Sequence, residues 1–253
     1  MSEALASPPS ISPAPPQMPE ELPLSISEIT FPHGEIESNE PPLESYLHLQ
    51  QIILLLTCLE WHWRDRQDFF AAGNLTIYYS ANQLKPEDFR GPDFFMVLDT
   101  ERKPRKSWVI WEEDGKYPHV LIEILSGTTA GVDRGLKKKI YQNTFRTPNY
   151  FWFDPYSLEF AGFHLLDGHY EPIIPNSQGY LWSEQLELYL GILQQKLRFF
   201  TPEGELVLTP PEVAAQSIEK IAEVTQQFEN ATQRANKLAA KLRELNLDPE
   251  EFL

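Results

Sequence analysis

Val120-Leu121-Ile122-Glu123-Ile124-Leu125-Ser126 decides the reading of this chain, because one glutamate stands inside an otherwise apolar run. A short aliphatic stretch of this length reads as a buried strand. A carboxylate inside it costs on the order of several kcal/mol to bury unless a cation or a metal compensates it. Upstream, Gly91-Pro92-Asp93 opens a second apolar strand, Phe94-Phe95-Met96-Val97-Leu98. Downstream, Asp133-Arg134-Gly135-Leu136-Lys137-Lys138-Lys139-Ile140-Tyr141 reads as a helix. Lys137 lies one helical turn after Asp133 and one before Tyr141, so the three share a face. Asp, Glu and Lys delivered to one place is the layout of metal-dependent phosphodiester cleavage.

That chemistry requires charge stabilisation on the phosphate and a positioned water, both within reach of Mg²⁺ held by carboxylates. Mg²⁺ takes one or two protein carboxylates and keeps its remaining waters, which suits an Asp93–Glu123 pair. A lysine then orients the water and offsets growing negative charge. Each residue also has an ordinary role. Asp93 fits a turn bonding its own backbone, Asp133 a helix N-cap, and Lys138 and Lys139 a solvated face. Tyr141 fits a core residue with its hydroxyl at the surface, and Asp154 before Pro155 fits a turn. Glu123 and Lys137 also fit a buried structural ion pair. The six histidines show no metal-ligand spacing, and His48 and His62 on the first helix read as packing residues.

With 253 residues, 42% of them apolar, the chain can build one sizeable domain plus extensions. The single cysteine, Cys58, precludes a disulfide framework or a zinc cage and fits a reducing compartment. The apolar run ending at Cys58 is too short to span a bilayer, and the first residues do not read as a secretion signal. A soluble cytoplasmic protein is the expectation. The formal charge of −16 argues at first sight against phosphate binding. It is unevenly spread, however. Residues 1–40 hold seven glutamates and no Lys or Arg, whereas bases cluster at Arg102-Lys103-Pro104-Arg105-Lys106 and at Arg134 to Lys139.

Residues 1–42, rich in Pro, Ser and Glu, read as a disordered tail. A helix is predicted from near Pro42 to Trp63, and strands at 75–79, 94–98, 107–112 and 119–125, with a hairpin turn at Asp114-Gly115. The helix at 133–145 and a strand at 150–153 follow. Strands at 158–165 and 169–173 turn at Asp167-Gly168, and shorter ones lie near 180–182, 186–188 and 197–208. The order predicts an α/β fold, a mixed sheet flanked by helices. Domain boundaries are placed at 43–208 and 209–253. In the C-terminal segment Ile221, Val224, Phe228, Ala231, Ala235, Leu238, Leu242 and Leu245 repeat at alternating steps of three and four, a heptad seam. It serves either packing on the chain's own domain or a coiled coil joining two copies.

Pro92-Asp93, Ile122-Glu-Ile-Leu-Ser126, Asp133-Arg-x-x-Lys137-x-x-x-Tyr141 and Tyr150-Phe-Trp-Phe-Asp-Pro155, in that order, resemble the Uma-two family of restriction-endonuclease-like proteins. That family falls in the PD-(D/E)XK nuclease superfamily, and the resemblance spans about residues 44–208. It implies a restriction-endonuclease-like α/β core, Mg²⁺ dependence (Mn²⁺ substituting) and hydrolysis of DNA. Carried over, Asp93 and Glu123 are the metal-holding acids. The lysine expected two residues after Glu123 is Leu125 here, and the family pattern moves it to Lys137. The tail from Lys241 to Glu250 resembles a coiled extension of such proteins. The acidic hairpin usual near the family's N-terminus is replaced by Trp61-His-Trp-Arg-Asp-Arg66, where Glu60 or Asp65 is the available acid.

The leading expectation is therefore a divalent-metal-dependent DNA endonuclease. Asp93, Glu123 and Lys137 are catalytic, Asp133 and Tyr141 support the lysine, and Arg102, Lys103, Arg105, Lys106, Arg134, Lys138 and Lys139 contact phosphates. The alternative is a non-catalytic interaction module that keeps the fold and dimerises through its C-terminal helix. A paired-carboxylate glycosidase would leave the lysine idle.

Overall fold

The computed structural model describes residues 38, 40, 43, 45–80, 91–125, 133–245 and 248, with 133 and 134 described in backbone only. The predicted tail therefore lies outside the described residues except for Ser38 and Glu40. Those two are bonded to the folded body: the Ser38 hydroxyl accepts from the Thr76 N–H at 3.2 Å, and Glu40 accepts from the Thr76 hydroxyl at 2.9 Å.

The first helix, α1 (Tyr46–His62), starts at Ser45, whose side chain accepts from the His48 N–H, the usual role of an N-cap. Six strands form the central sheet in the order β1 (Phe69–Gly73), β3 (Phe94–Leu98), β5 (Val120–Ile124), β6 (Asn149–Phe153), β7 (Phe160–Leu166) and β8 (His169–Pro172). Within this sheet only β5 and β6 pair in parallel. A parallel pair needs a crossover that lies over the sheet. That crossover is α2, whose turns are π (Asp133–Lys137), α (Lys138–Ile140) and π (Tyr141–Phe145). Arg146 ends it at φ 52°, ahead of Pro148.

Side chains of a strand alternate between faces, so β5 serves two cores. Val120, Ile122 and Ile124 join Phe94 and Met96 beneath α1, together with the small sheet of β9 (Leu181–Ser183), β10 (Leu188–Leu193) and β11 (Lys196–Phe200). The Gln51 side chain fixes α1 on that sheet, donating to the Leu197 carbonyl at 2.9 Å and accepting from its N–H at 3.0 Å. Leu121 faces the other way, with Phe95, Val97, Tyr141, Phe145 and Tyr150. The mixed sheet flanked by helices is as predicted.

Two local expectations change. The predicted strand at 75–79 shrinks to β2 (Ile77–Tyr78), while β1 was not anticipated. The stretch 107–112 divides into β4 (Trp108–Val109), which pairs with β2 in parallel, and a 3₁₀ turn at Ile110–Glu112. Asp114 and Gly115 do take the left-handed backbone a tight turn requires, at φ 54° and 74°. They close a helical turn, with the Gly115 N–H donating to the Ile110 carbonyl, and no hairpin results. Asp167-Gly168 does join β7 to β8.

The C-terminal helix α3 (Pro210–Glu244) begins at Thr209 with a capping box to Glu212 and prolines in its first turn. Glu212 receives the buried Arg198 guanidinium through both oxygens, at 2.9 and 2.8 Å. The Arg198 hydrogen bonds, helped by Thr209, hold the Glu212 carboxyl down to about 2, from 4.5. A depressed folded-state pKa stabilises fully above the unfolded value and is lost as pH falls through the folded one. Thermal stability is expected to drop between pH 4.5 and 2 in melts across that range. Glu212→Gln should flatten the drop, and an unchanged slope would remove this clamp from the acid response.

Candidate active site

The site lies where β3 begins and β5 ends. Phe94 stands opposite Ile122 and Phe95 opposite Leu121, so one step along the same register puts Asp93 opposite Glu123. Directly opposite residues share a face, with Cβ atoms about 5 Å apart. Two carboxylates that close repel unless each is compensated, and each is.

Glu123 is fully buried, and both its oxygens are engaged by α2. Lys137 Nζ donates to Oε2 at 2.9 Å and the Tyr141 hydroxyl donates to Oε1 at 2.5 Å. Lys137 is itself buried, with Nζ 3.5 Å from the Gly91 carbonyl oxygen. Asp93 accepts from the Ile124 N–H through Oδ2 at 2.7 Å, so the end of β5 orients it. Its Oδ1 lies 2.8 Å from His48 Nε2. Both His48 ring nitrogens are buried, and Asp93 is the carboxylate that Nε2 faces. Burial alone would raise the Asp93 carboxyl. The His48 ring, the Lys137 ammonium and the Ile124 N–H outweigh it and hold Asp93 below the ordinary carboxylate range.

Gly91 completes the approach of chain segments. A Cβ there would meet the Leu75 carbonyl oxygen at 2.5 Å and Glu40 Oε1 at 2.7 Å, so only glycine fits. Glu40 Oε1 accepts from the Gly91 N–H at 2.6 Å, which brings a third acid to the rim of the site.

Asp93, Glu123, Lys137 and Tyr141 are thus brought together. The Tyr141 hydroxyl points to Glu123 and not to the surface. Asp133 and Arg134 form the first turn of α2, and their side chains lie outside the described residues. The 102–106 cluster is another matter. Arg102 pairs with Glu60, and Arg105 holds both oxygens of Glu113 at 2.5 and 2.9 Å with its side chain 5% exposed. Arg105 is also stacked over Phe70 and Trp108, so these two arginines are structural and do not form an open phosphate surface. Lys103 sits 3.1 Å from Glu101; Lys103, Lys106 and Lys139 are exposed. Lys138 lies 3.3 Å over the Phe163 ring, and burial lowers its pKa.

His48 and Glu40 were missed by sequence reasoning. His48 carried a signal, since it shares the buried stripe of α1 with Gln51, Ile52, Leu55 and Leu59. A polar residue on an apolar stripe is informative. Glu40 carried none inside its acidic, Pro-rich surroundings. Glu60 and Asp65 are not at the site: the first is spent on Arg102 and the second is 89% exposed.

A pair of carboxylates is the donor type that a hard divalent cation takes. Among the described residues no group of three or more His, Cys, Asp or Glu could hold a metal. Asp93 and Glu123 are the residues that could hold a divalent cation. Replacing His48 with Phe keeps the ring volume and removes the polar contact to Asp93. About tenfold weaker Mn²⁺ binding is expected by calorimetric titration, as for other groups that orient a ligand. Unchanged affinity would make His48 a packing residue only.

A buried Glu beside a half-buried Asp on one face of a mixed sheet, met by a lysine from the β5–β6 crossover, is a nuclease-like constellation. A family model described as "Uma2: Putative restriction endonuclease" matches residues 17–192, and the chain belongs to that family. The match begins within the segment read as a tail and stops within β10. A crystal structure from Anabaena variabilis ATCC 29413, titled as a putative nuclease belonging to DUF820, is 14% identical and aligns with 62% of this chain and 82% of that one, with a TM-score of 0.43. No curated protein matches the chain. Among the described residues no helix is long and apolar enough to cross a membrane.

Proposed function

We propose that this protein is a divalent-metal-dependent DNA endonuclease. The carrying observation is the buried Glu123 opposite Asp93, engaged by Lys137 at 2.9 Å. Asp93 and Glu123 would hold Mg²⁺ or Mn²⁺, which when bound supplies charge neutralisation on the phosphate and a more acidic water. Tyr141 and the Ile124 N–H fix the two carboxylates before substrate arrives, so little reorganisation is left for the reaction. Lys137 orients the attacking water and opposes the charge that builds as the phosphorus–oxygen bond breaks. Lys139, Lys103 and Lys106, all exposed, are the bases that would lie along phosphates. Self-association through the exposed seam of α3 belongs to the same reading.

Leu125 in the usual lysine position supports the rival, an interaction module in which Glu123–Lys137 is only structural. Supercoiled plasmid incubated with purified protein and Mg²⁺ or Mn²⁺ separates the two. Metal-dependent nicking abolished by Glu123→Gln and Lys137→Ala supports the nuclease. A folded parent that neither cuts nor binds metal overturns it.

A further inference from the structure

We propose that α3 pairs with α3 of a second copy as a parallel, in-register coiled coil, placing two nuclease bodies at the same end. None of its residues is buried, and Ile221, Val224, Phe228, Leu238 and Leu245 are 58–73% exposed. Among the described residues none covers this seam. The seam is narrow, two positions in seven, which matches a partner helix; a membrane surface or a globular core takes a broader stripe. The helix extends about 50 Å at 1.5 Å per residue, ample for a two-stranded contact.

Charge selects both partner and direction. With Ile221 at position a and Val224 at d, the g positions are Lys220, Gln227, Arg234 and Lys241, and the e positions are Thr225, Thr232 and Ala239. In an antiparallel pair the g rows of the two helices meet, which puts cation against cation, either Arg234 on its own copy or Lys220 on Lys241. In a parallel pair each g residue faces an e residue of the partner, here threonine or alanine, and no like charges oppose. A second copy in parallel therefore satisfies the apolar seam without repulsion.

The first turn of α3 is clamped to the body by the Thr209 capping box and the Arg198–Glu212 pair. Parallel helices thus hold both bodies side by side at the start of the coil. Two active sites held together can cut the two strands of one duplex in one encounter. This consequence rests on the nuclease reading above; the coil itself does not.

Single-cysteine substitutions test the direction. Native Cys58 is 1% exposed, and the parent chain serves as its control. Val224→Cys and Leu242→Cys are each expected to form a disulfide with themselves on mild oxidation. Crosslinking only when the two variants are mixed would establish an antiparallel pair and overturn the proposal. So would a parent that sediments as a monomer, or one whose helix binds only anionic vesicles. Phe228→Glu with Leu238→Glu should give a monomer that nicks plasmid where the parent linearises it. Homotypic crosslinks without any plasmid cutting would leave the coil standing and remove the nuclease; cutting without such crosslinks would do the reverse.

Discussion

Glu123→Gln is expected to abolish metal-dependent cleavage, at least about a thousandfold, the scale of losing several kcal/mol of charge stabilisation at the phosphate. It is also expected to destabilise the fold, because the variant leaves Lys137 a buried cation without its carboxylate. Breaking a buried pair on one side costs about 3–5 kcal/mol. The double variant Glu123→Gln/Lys137→Met removes both charges and keeps apolar volume in place of the lysine stem. It should recover most of the stability lost in the single variant and none of the activity. Urea denaturation with the plasmid assay on the same preparations reads both quantities. Full activity in Glu123→Gln would refute the site; recovered activity in the double variant would refute the role of Lys137.

Asp93 separates structure from chemistry in a different way. Its Oδ2 accepts from the Ile124 N–H at 2.7 Å, and asparagine can keep that bond through its own oxygen. Asp93→Asn is therefore expected to fold nearly as well as the parent, whereas Asp93→Ala leaves the N–H unsatisfied at a cost of about 1–3 kcal/mol. Both should lose cleavage and Mn²⁺ binding, since neither presents a carboxylate. If Asp93→Asn binds Mn²⁺ like the parent in calorimetry, the metal is held elsewhere and the pair is structural.

Much of the site was legible because its acids interrupt patterns. Glu123 breaks an aliphatic run, Asp93 precedes one, and Lys137 and Tyr141 repeat at a helical step. A charge out of place in a buried element needs a partner, and the partner is on the next element of the chain. His48 and Glu40 were less legible for opposite reasons. The histidine belongs to a helix explained by packing alone, and the glutamate to a stretch whose composition says only that it cannot fold by itself. The cluster at 102–106 misled because sequence shows charges but not their counter-ions: Glu60 and Glu113 claim the two arginines.

The sequence by itself determined which runs are buried, that strands flank a crossover helix, and that α3 carries a two-in-seven apolar seam. These are local periodicities, set by the geometry of strands and helices. Only the tertiary structure decided that β3 and not β4 neighbours β5. It alone brought His48 and Glu40 to the Gly91–Asp93 turn and committed Arg102 and Arg105 to carboxylates. Those outcomes depend on contacts between residues far apart in the chain, where pairing is settled by the packing of whole faces and by the need to neutralise each buried charge.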